Sequence, residues 1–330
     1  MKVLQVTNAY PSLKHPVHGI FIKEQLNSIN EKGVDFDLLF INAKDFGKLE
    51  YLKAYFKLLK CRKQYDIIHC HHFLVGFLSL LTFPKAKVIV SFLSDGTNEF
   101  MLTKNIFSEY LIKWMYSLIL KRSDGRIFKK AIPDSLITDE FSFYLPNGVN
   151  LDLFKHISKK ESKIQLGLDV NKRYILFCSL NNLYRPEKRY DIFKNALDTI
   201  KSNKSFSDVE ELVLINESRD RVPYYFNAAE VYVLTSDFEG SPNAVKECVS
   251  TGTPVISRNV GDVQRTIGNL EGCEILSSED PTDYVTAISK LLNSKYPEIR
   301  SLYKRRIMEL QLDVGSVADN LIAIYSKVLS

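Results

Sequence analysis

Short apolar runs alternate with longer amphipathic segments along the whole chain. The runs predict strands at Val3–Thr7, Asp37–Ile41, Ile67–His69, Lys87–Phe92, Arg126–Ile127, Ser142–Leu145, Tyr174–Cys178, Glu211–Ile215, Val231–Thr235 and Pro254–Ser257. Between several of them lie helical patterns such as Phe21–Lys32, Tyr190–Asn203 and Pro281–Asn293. Alternation of this kind predicts parallel sheets with helices on both faces. The pattern restarts near Tyr174, after a polar stretch, His156–Lys172, that reads as a linker plus a short helix. Two Rossmann-like α/β domains fit better than one long sheet. The expected division is residues 1–155, residues 156–312, and a last helix over 313–330. That helix places Val317, Leu321, Ile324 and Val328 on one face, which can pack on either domain. No G-x-G-x-x-G fingerprint is present, which counts against a nicotinamide dehydrogenase.

Composition changes little in this picture. The chain has 330 residues, 45% hydrophobic and 25% charged, as expected for two soluble domains. Its five Cys are odd in number and lack C-x-x-C spacing, so buried free thiols in a reducing cytosol are expected. The start, Met1–Asn8, reads as a strand rather than a signal peptide. The longest apolar run, Phe73–Phe83, falls short of the roughly 20 residues of a membrane span, so the expectation is a soluble or at most peripheral protein.

Charge is uneven. Residues 1–150 hold 20 Lys and Arg against 14 Asp and Glu, a net of +6, and the remainder nets −1. Lysines 44, 48, 53, 57, 60 and 63 and Arg62 interleave with Leu49, Tyr51, Leu52, Tyr55, Phe56, Leu58 and Leu59. Lys44–Lys63 is thus a candidate acceptor-side or membrane surface, since a basic helix with aromatic residues can lie on anionic lipid; the same pattern also suits a helix packed on a sheet with its lysines in solvent. Lys113, Lys121, Arg122, Lys129 and Lys130 would extend such a patch. No nucleic-acid partner is expected.

The segment with most chemistry is Glu239-Gly-Ser-Pro-Asn-Ala-Val-Lys-Glu247, between the strand Val231–Thr235 and a Gly-Thr-Pro turn. The following helix is expected to start with Ser241 as its cap and Pro242 at its first position. Glu239 then lies in the loop at the carboxyl end of a strand, where open α/β sheets bind ligands, and Glu247 lies inside the helix. Amides of Asn243 and Ala244 at the helix start suit a phosphate.

This run, with Leu234-Thr-Ser-Asp-Phe before it and Gly252-Thr-Pro-Val-Ile-Ser and Val260-Gly-Asp-Val after it, resembles the E-x7-E signature of GT-B-fold retaining glycosyltransferases, family 4 (glycosyl transferases group 1). The resemblance implies two Rossmann-like domains facing a cleft, and transfer of a sugar from a UDP-sugar or GDP-sugar to a glycan or lipid-linked acceptor. It implies no obligatory metal and no further cofactor. Glu239 would sit by the donor sugar and Glu247 would accept from the ribose hydroxyls. Gly240, Ser241, Pro242, Asn243 and Ala244 would form the phosphate cradle. In Tyr184-Arg-Pro-Glu-Lys-Arg-Tyr-Asp191, Lys188 matches the family's diphosphate lysine. The family's preceding Arg is replaced by Leu183 or Asn182, with Arg185 or Arg189 as substitutes. In the first domain Gly19, after His18, would let backbone approach the donor, and Pro146-Asn147-Gly148-Val149 matches a turn at the domain junction. The family's His before Asp appears here as Leu93, with Ser94 and Asp95 as other polar groups.

Two metal readings fare poorly. Asp35-Phe-Asp37 is a D-x-D at a strand start, opposite the ligand end. His69, His71 and His72 lack companion ligands at zinc spacing; His71 either faces the cleft or is structural. Surface-polysaccharide or lipid-linked glycan synthesis on the cytoplasmic side, peripheral to the inner face of the plasma membrane, is what the resemblance implies. A nucleotide-sugar 2-epimerase of the same fold and a catalytically silent homologue are the alternatives.

Overall fold

The computed structural model describes residues 1–61, 63–93, 106–180, 182–294 and 300–330. The chain divides into two compact units, Met1–Gly148 with Val314–Ser330, and Val149–Asp313.

Among the described residues the first unit holds six strands: β1 (Val3–Thr7), β2 (Phe36–Phe40), β3 (Ile67–His71), β4 (Lys87–Phe92), β5 (Gly125–Phe128) and β6 (Ser142–Tyr144). They form one parallel sheet in the order β2-β1-β3-β4-β5-β6. The interior strands β1 and β3 are buried on both faces, as helices on each side require. On one face Leu4, Val6, Ile68, Cys70, Val88 and Val90 pack with α3 (Leu49–Cys61), α4 (Phe73–Leu80) and α5 (Ile106–Arg122), which follow α1 (Ile20–Glu31) and α2 (Ala43–Phe46). On the other face Val3, Ile67, Ile89 and Ile127 meet Ile22, Leu26 and Ile29 of α1 and the apolar stripe of the terminal helix.

The second unit holds β7 (Arg173–Ser179), β8 (Val209–Ile215), β9 (Ala229–Leu234), β10 (Val255–Arg258) and β11 (Glu274–Leu276). Their order is β11-β10-β9-β7-β8, all parallel. Its helices are α6 (Lys159–Leu166), α7 (Tyr190–Ser202), α8 (Val222–Ala228), α9 (Asn243–Thr251), α10 (Val263–Ile267), α11 (Pro281–Asn293) and α12 (Arg300–Glu309); α13 (Val314–Leu329) belongs to the first unit. Alternate strand residues divide between two cores. Leu176, Tyr232 and Leu234 pack with α8, α9 and α12, while Ile175, Phe177, Val231 and Val233 pack with α7 and α11.

Every expected strand is present, with small shifts at the ends. β11 is an addition: three half-buried residues at a sheet edge give too short an apolar run to read. The first boundary lies at Gly148/Val149 rather than 155/156, because Val149 and Phe154 are buried in the core of the second unit and Val149 bridges to Asp313. His156–Lys172 is not a free linker. Ser158 caps α6, Gly167 ends it with a φ of 70°, and Asn227 accepts from the Ile157 amide at 2.9 Å. The last helix joins the first unit, since Val317, Leu321, Ile324, Tyr325 and Val328 complete the core on the α1 face.

Polar residues share that face. Tyr325 Oη lies 2.7 Å from His69 Nδ1 and accepts from Gln5 Nε2 at 3.0 Å. His69 Nε2 is 2.8 Å from Ser91 Oγ, and His71 Nε2 is 2.9 Å from Gln5 Oε1. One set of donors satisfies all four contacts: Tyr325 donates to His69, and both imidazoles carry their proton on Nε2. Burial holds both rings neutral, His71 with a pKa pushed down to about 3 and His69 well below its ordinary value, each further lowered by Lys129. His71 therefore serves the core of its own unit. His72 caps α4, and among the described residues no cluster of three or more His, Cys, Asp or Glu is placed to hold a metal.

Candidate functional site

In the second unit β7 runs to β8 on one side, and the chain then crosses to β9 on the other. The switch point therefore lies between β7 and β9, where doubly wound sheets bind ligands beyond the carboxyl ends of the strands. The loops after these two strands carry Lys188 and Glu239. Lys188 Nζ donates to Glu239 Oε1 at 2.6 Å, and both side chains are largely buried.

Local chemistry fixes both loops. Pro186–Lys188 forms a 3-10 turn, and Arg189 takes a left-handed φ of 50° before α7. Thr235 Oγ1, fully buried at the end of β9, lies 2.8 Å from the Lys188 carbonyl and 2.9 Å from that of Arg189, sharing its proton between them. The Asp237 amide donates to the Glu187 carbonyl at 2.9 Å. The Lys188 turn is thus fastened to β9 by backbone acceptors, leaving the ammonium for Glu239.

Glu247 has a partner that the sequence did not disclose. Arg219, in the loop after β8, donates to its Oε1 at 2.8 Å, and the guanidinium stacks 4.5 Å from the Phe154 ring centroid. The charges of Glu239 and Glu247 both act on buried Tyr232, so the two ion pairs share one end of the sheet. The charges of Glu247 and Lys188 both act on buried Cys178, in opposite directions. Burial and Glu247 push its thiol well above the ordinary value, so it is a neutral packing group and not a nucleophile.

Helix α9 begins one residue later than expected. Pro242 is the cap and Asn243 the first helical residue, and no side chain caps the start. Ser241 is diverted: its Oγ donates to Asp262 Oδ2 at 2.7 Å and accepts from Lys246 Nζ at 2.9 Å. The amides of Asn243 and Ala244 stand in the first turn, where a helix has no acceptors of its own. Gly261, at φ 59°, touches the same turn; a Cβ there would lie 2.3 Å from the Gly240 carbonyl oxygen. The Glu239–Asn243 turn is therefore seated on the loop after β10.

Arg185 and Arg189, the two substitutes for the missing family Arg, are both engaged with carboxylates. Arg185 pairs with Glu187 in its own turn at 2.7 Å. Arg189 reaches Asp191 at 3.0 Å, Glu279 at 2.9 Å and Asp237 at 3.3 Å, and Arg258 bonds Glu279 and Asp237 from the other side. Gly19 and Asn147 belong to the first unit. Gly19 takes a φ of 68° at the start of α1, where a Cβ would lie 2.3 Å from the Ala9 carbonyl group, so backbone packing within that unit accounts for the glycine. Asn147 is buried. Leu93 is half-buried, whereas Ser94, Asp95 and Arg62 lie outside the described residues. Lys129 is buried at the end of β5 and cannot extend a surface patch.

Residues 194–294 match the family model "Glycosyl transferases group 1". A UDP-Gal:alpha-D-GlcNAc-diphosphoundecaprenol alpha-1,3-galactosyltransferase of Escherichia coli is 23% identical over 77% of this chain and 73% of its own length. A putative teichuronic acid biosynthesis glycosyltransferase, TuaC of Bacillus subtilis, is 20% identical over 99% of both chains. HepE of Anabaena, solved in complex with UDP, superposes with a TM-score of 0.73 at 12% identity, over 99% of this chain and 100% of that one. The fold expected from the motif is borne out by these likenesses, and so is the enzyme class: the chain is a GT-B-fold glycosyltransferase, and residues 194–294 within its second unit match glycosyl transferases group 1.

Proposed function

We propose that the chain is a retaining, metal-independent family 4 enzyme that moves a hexosyl group from a UDP-sugar or GDP-sugar to a glycan or lipid-linked acceptor in surface-polysaccharide synthesis. The observation that carries this reading is the Lys188–Glu239 pair at the switch point, beside the α9 start. A departing diphosphate gains negative charge, and Lys188 with the Asn243 and Ala244 amides offers preorganised positive charge for it. Glu239 accepts hydroxyl hydrogen bonds from the sugar and stabilises the cationic character at its anomeric carbon. Glu247, oriented by Arg219, accepts from the ribose. The leaving phosphate oxygen assists acceptor deprotonation on the same face of the sugar, so no protein nucleophile is assigned. Donor and acceptor names of the relatives support a nucleotide-sugar donor and an undecaprenyl-diphosphate-linked or polymer acceptor.

Membrane placement forms part of the proposal. Among the described residues no helix is long and apolar enough to cross a membrane. Helix α3 buries Ala54 and Leu58 but exposes Leu49, Leu52 and Phe56 among Lys53, Lys57 and Lys60, and Phe46 is exposed just before it. This is the build of a helix that lies on anionic lipid at the cytoplasmic face.

Product analysis tests the reading. Purified protein with EDTA is given UDP- and GDP-sugars, with and without undecaprenyl-diphosphate-linked saccharide. A new linkage of the donor's own anomeric configuration, formed only with acceptor, is expected. An altered sugar from donor alone would instead show an epimerase, and nucleotide binding without any product a silent homologue.

A further inference from the structure

Lys246 is 1% exposed, although it stands in the first turns of a helix whose start is read as facing an anion. Side chains on a helix lean toward its N-terminus, and Lys246 follows this direction back to the turn. Its ammonium donates to Ser241 Oγ at 2.9 Å, and the Ser241 hydroxyl in turn donates to Asp262 Oδ2 at 2.7 Å. One chain of hydrogen bonds thus joins α9, the turn after β9 and the loop after β10. The backbone contact of Gly261 with Gly240 lies beside it. Packing alone would be met by a methionine or leucine, and a buried charge is costly without a partner or a task. The charged groups that act on Lys246 are Asp262 from the loop after β10 and Glu247 from its own helix, the latter shared with Arg219.

We propose that Lys246 is the positioning residue of the donor-diphosphate turn: through Ser241 and Asp262 it holds Gly240–Pro242 in the shape that aims the Asn243 and Ala244 amides outward, and it sets a positive charge behind them. This rests on the donor-site reading above. Burial pushes the Lys246 pKa down to about 8, against the pull of Asp262 and Glu247. An anion bound at the helix start favours the charged form, so binding raises that pKa and draws in a proton near pH 8. Raising the pH through that region neutralises the lysine in the free enzyme and weakens binding.

The test uses the full chain, with UDP, GDP and ADP as probes in EDTA, titrated at pH 8 in two buffers of different ionisation enthalpy. The unsubstituted protein is expected to bind one of them with proton uptake. Lys246→Met should bind about tenfold more weakly or worse, without uptake. Lys246→Arg should recover affinity but not uptake, because a guanidinium stays charged. Ser241→Ala should weaken binding several-fold, lower the pH at which binding falls, and combine non-additively with Lys246→Met. A Lys246→Met protein with unaltered affinity and uptake overturns the inference while leaving the donor site standing. If Lys246→Met does not fold, Ser241→Ala decides: unchanged affinity and pH midpoint overturn it. Failure of the unsubstituted protein to bind any of the three nucleotides removes the donor-site reading itself.

Discussion

The Arg219 guanidinium meets Glu247 at 2.8 Å while lying over the ring of Phe154, so a charge from the loop after β8 orients a carboxylate on α9. Arg219→Ala leaves a largely buried carboxylate without this donor. The second unit should lose about 2 kcal/mol in urea unfolding, and nucleotide affinity should fall as well. Arg219→Lys should restore charge but not the stacked, planar geometry, and so recover only part of either.

Gly261 has no room for a side chain. Alanine there must hold a left-handed φ of 59° with its methyl 2.3 Å from the Gly240 carbonyl oxygen. Strain and overpacking together should cost about 3 kcal/mol. Relief by moving the Glu239–Gly240 turn should lower transfer activity more than it lowers stability, as separate activity and unfolding measurements on the variant will show.

The α3 surface should direct the protein to anionic lipid. Leu52→Glu with Phe56→Glu should abolish sedimentation with phosphatidylglycerol vesicles while leaving the circular dichroism spectrum intact. Neutral phosphatidylcholine vesicles should bind weakly, and added salt should weaken the anionic case.

Acid should unfold the first unit through His69 and His71. Their folded-state pKa values lie below the ordinary 6.5, that of His71 at about 3, so as pH falls below 6.5 the unfolded chain binds more protons. Stability is therefore present above about pH 6.5 and is lost as pH falls. Replacing His71 with Gln keeps a donor toward Gln5 and removes one titration. The variant should lose less stability across this range, by on the order of 3 kcal/mol, in urea midpoints measured against pH.

Much of this was legible in the chain. Parallel strands buried on both faces are continuous apolar runs, which is why Val3–Thr7 and Val231–Thr235 could be read directly. Glu239 and Glu247 stood out because a strand, a turn and a helix start placed them in one local segment. What escaped reading was tertiary. Arg219 meets Glu247 from a different loop, and its Glu-Ser-Arg setting after β8 looks like solvated surface. Ser241 would cap α9 by local rules, but Asp262 and Lys246 compete for its hydroxyl, and the start moves to Pro242. Lys129, one of a basic pair after β5, is buried beside two histidines that only the sheet brings near it. At Gly19 too the constraint is tertiary, since the Ala9 backbone leaves no room for a side chain there.

Calorimetric titration of the full chain with UDP, GDP and ADP in EDTA, alongside Lys188→Ala, tests the central claim most directly. The account predicts metal-free binding of one nucleoside diphosphate, weakened in Lys188→Ala by about 1.5–3 kcal/mol as for a lost charged hydrogen bond. Equal binding by Lys188→Ala and the unsubstituted protein would contradict it, because the diphosphate would then lie away from the switch point between β7 and β9.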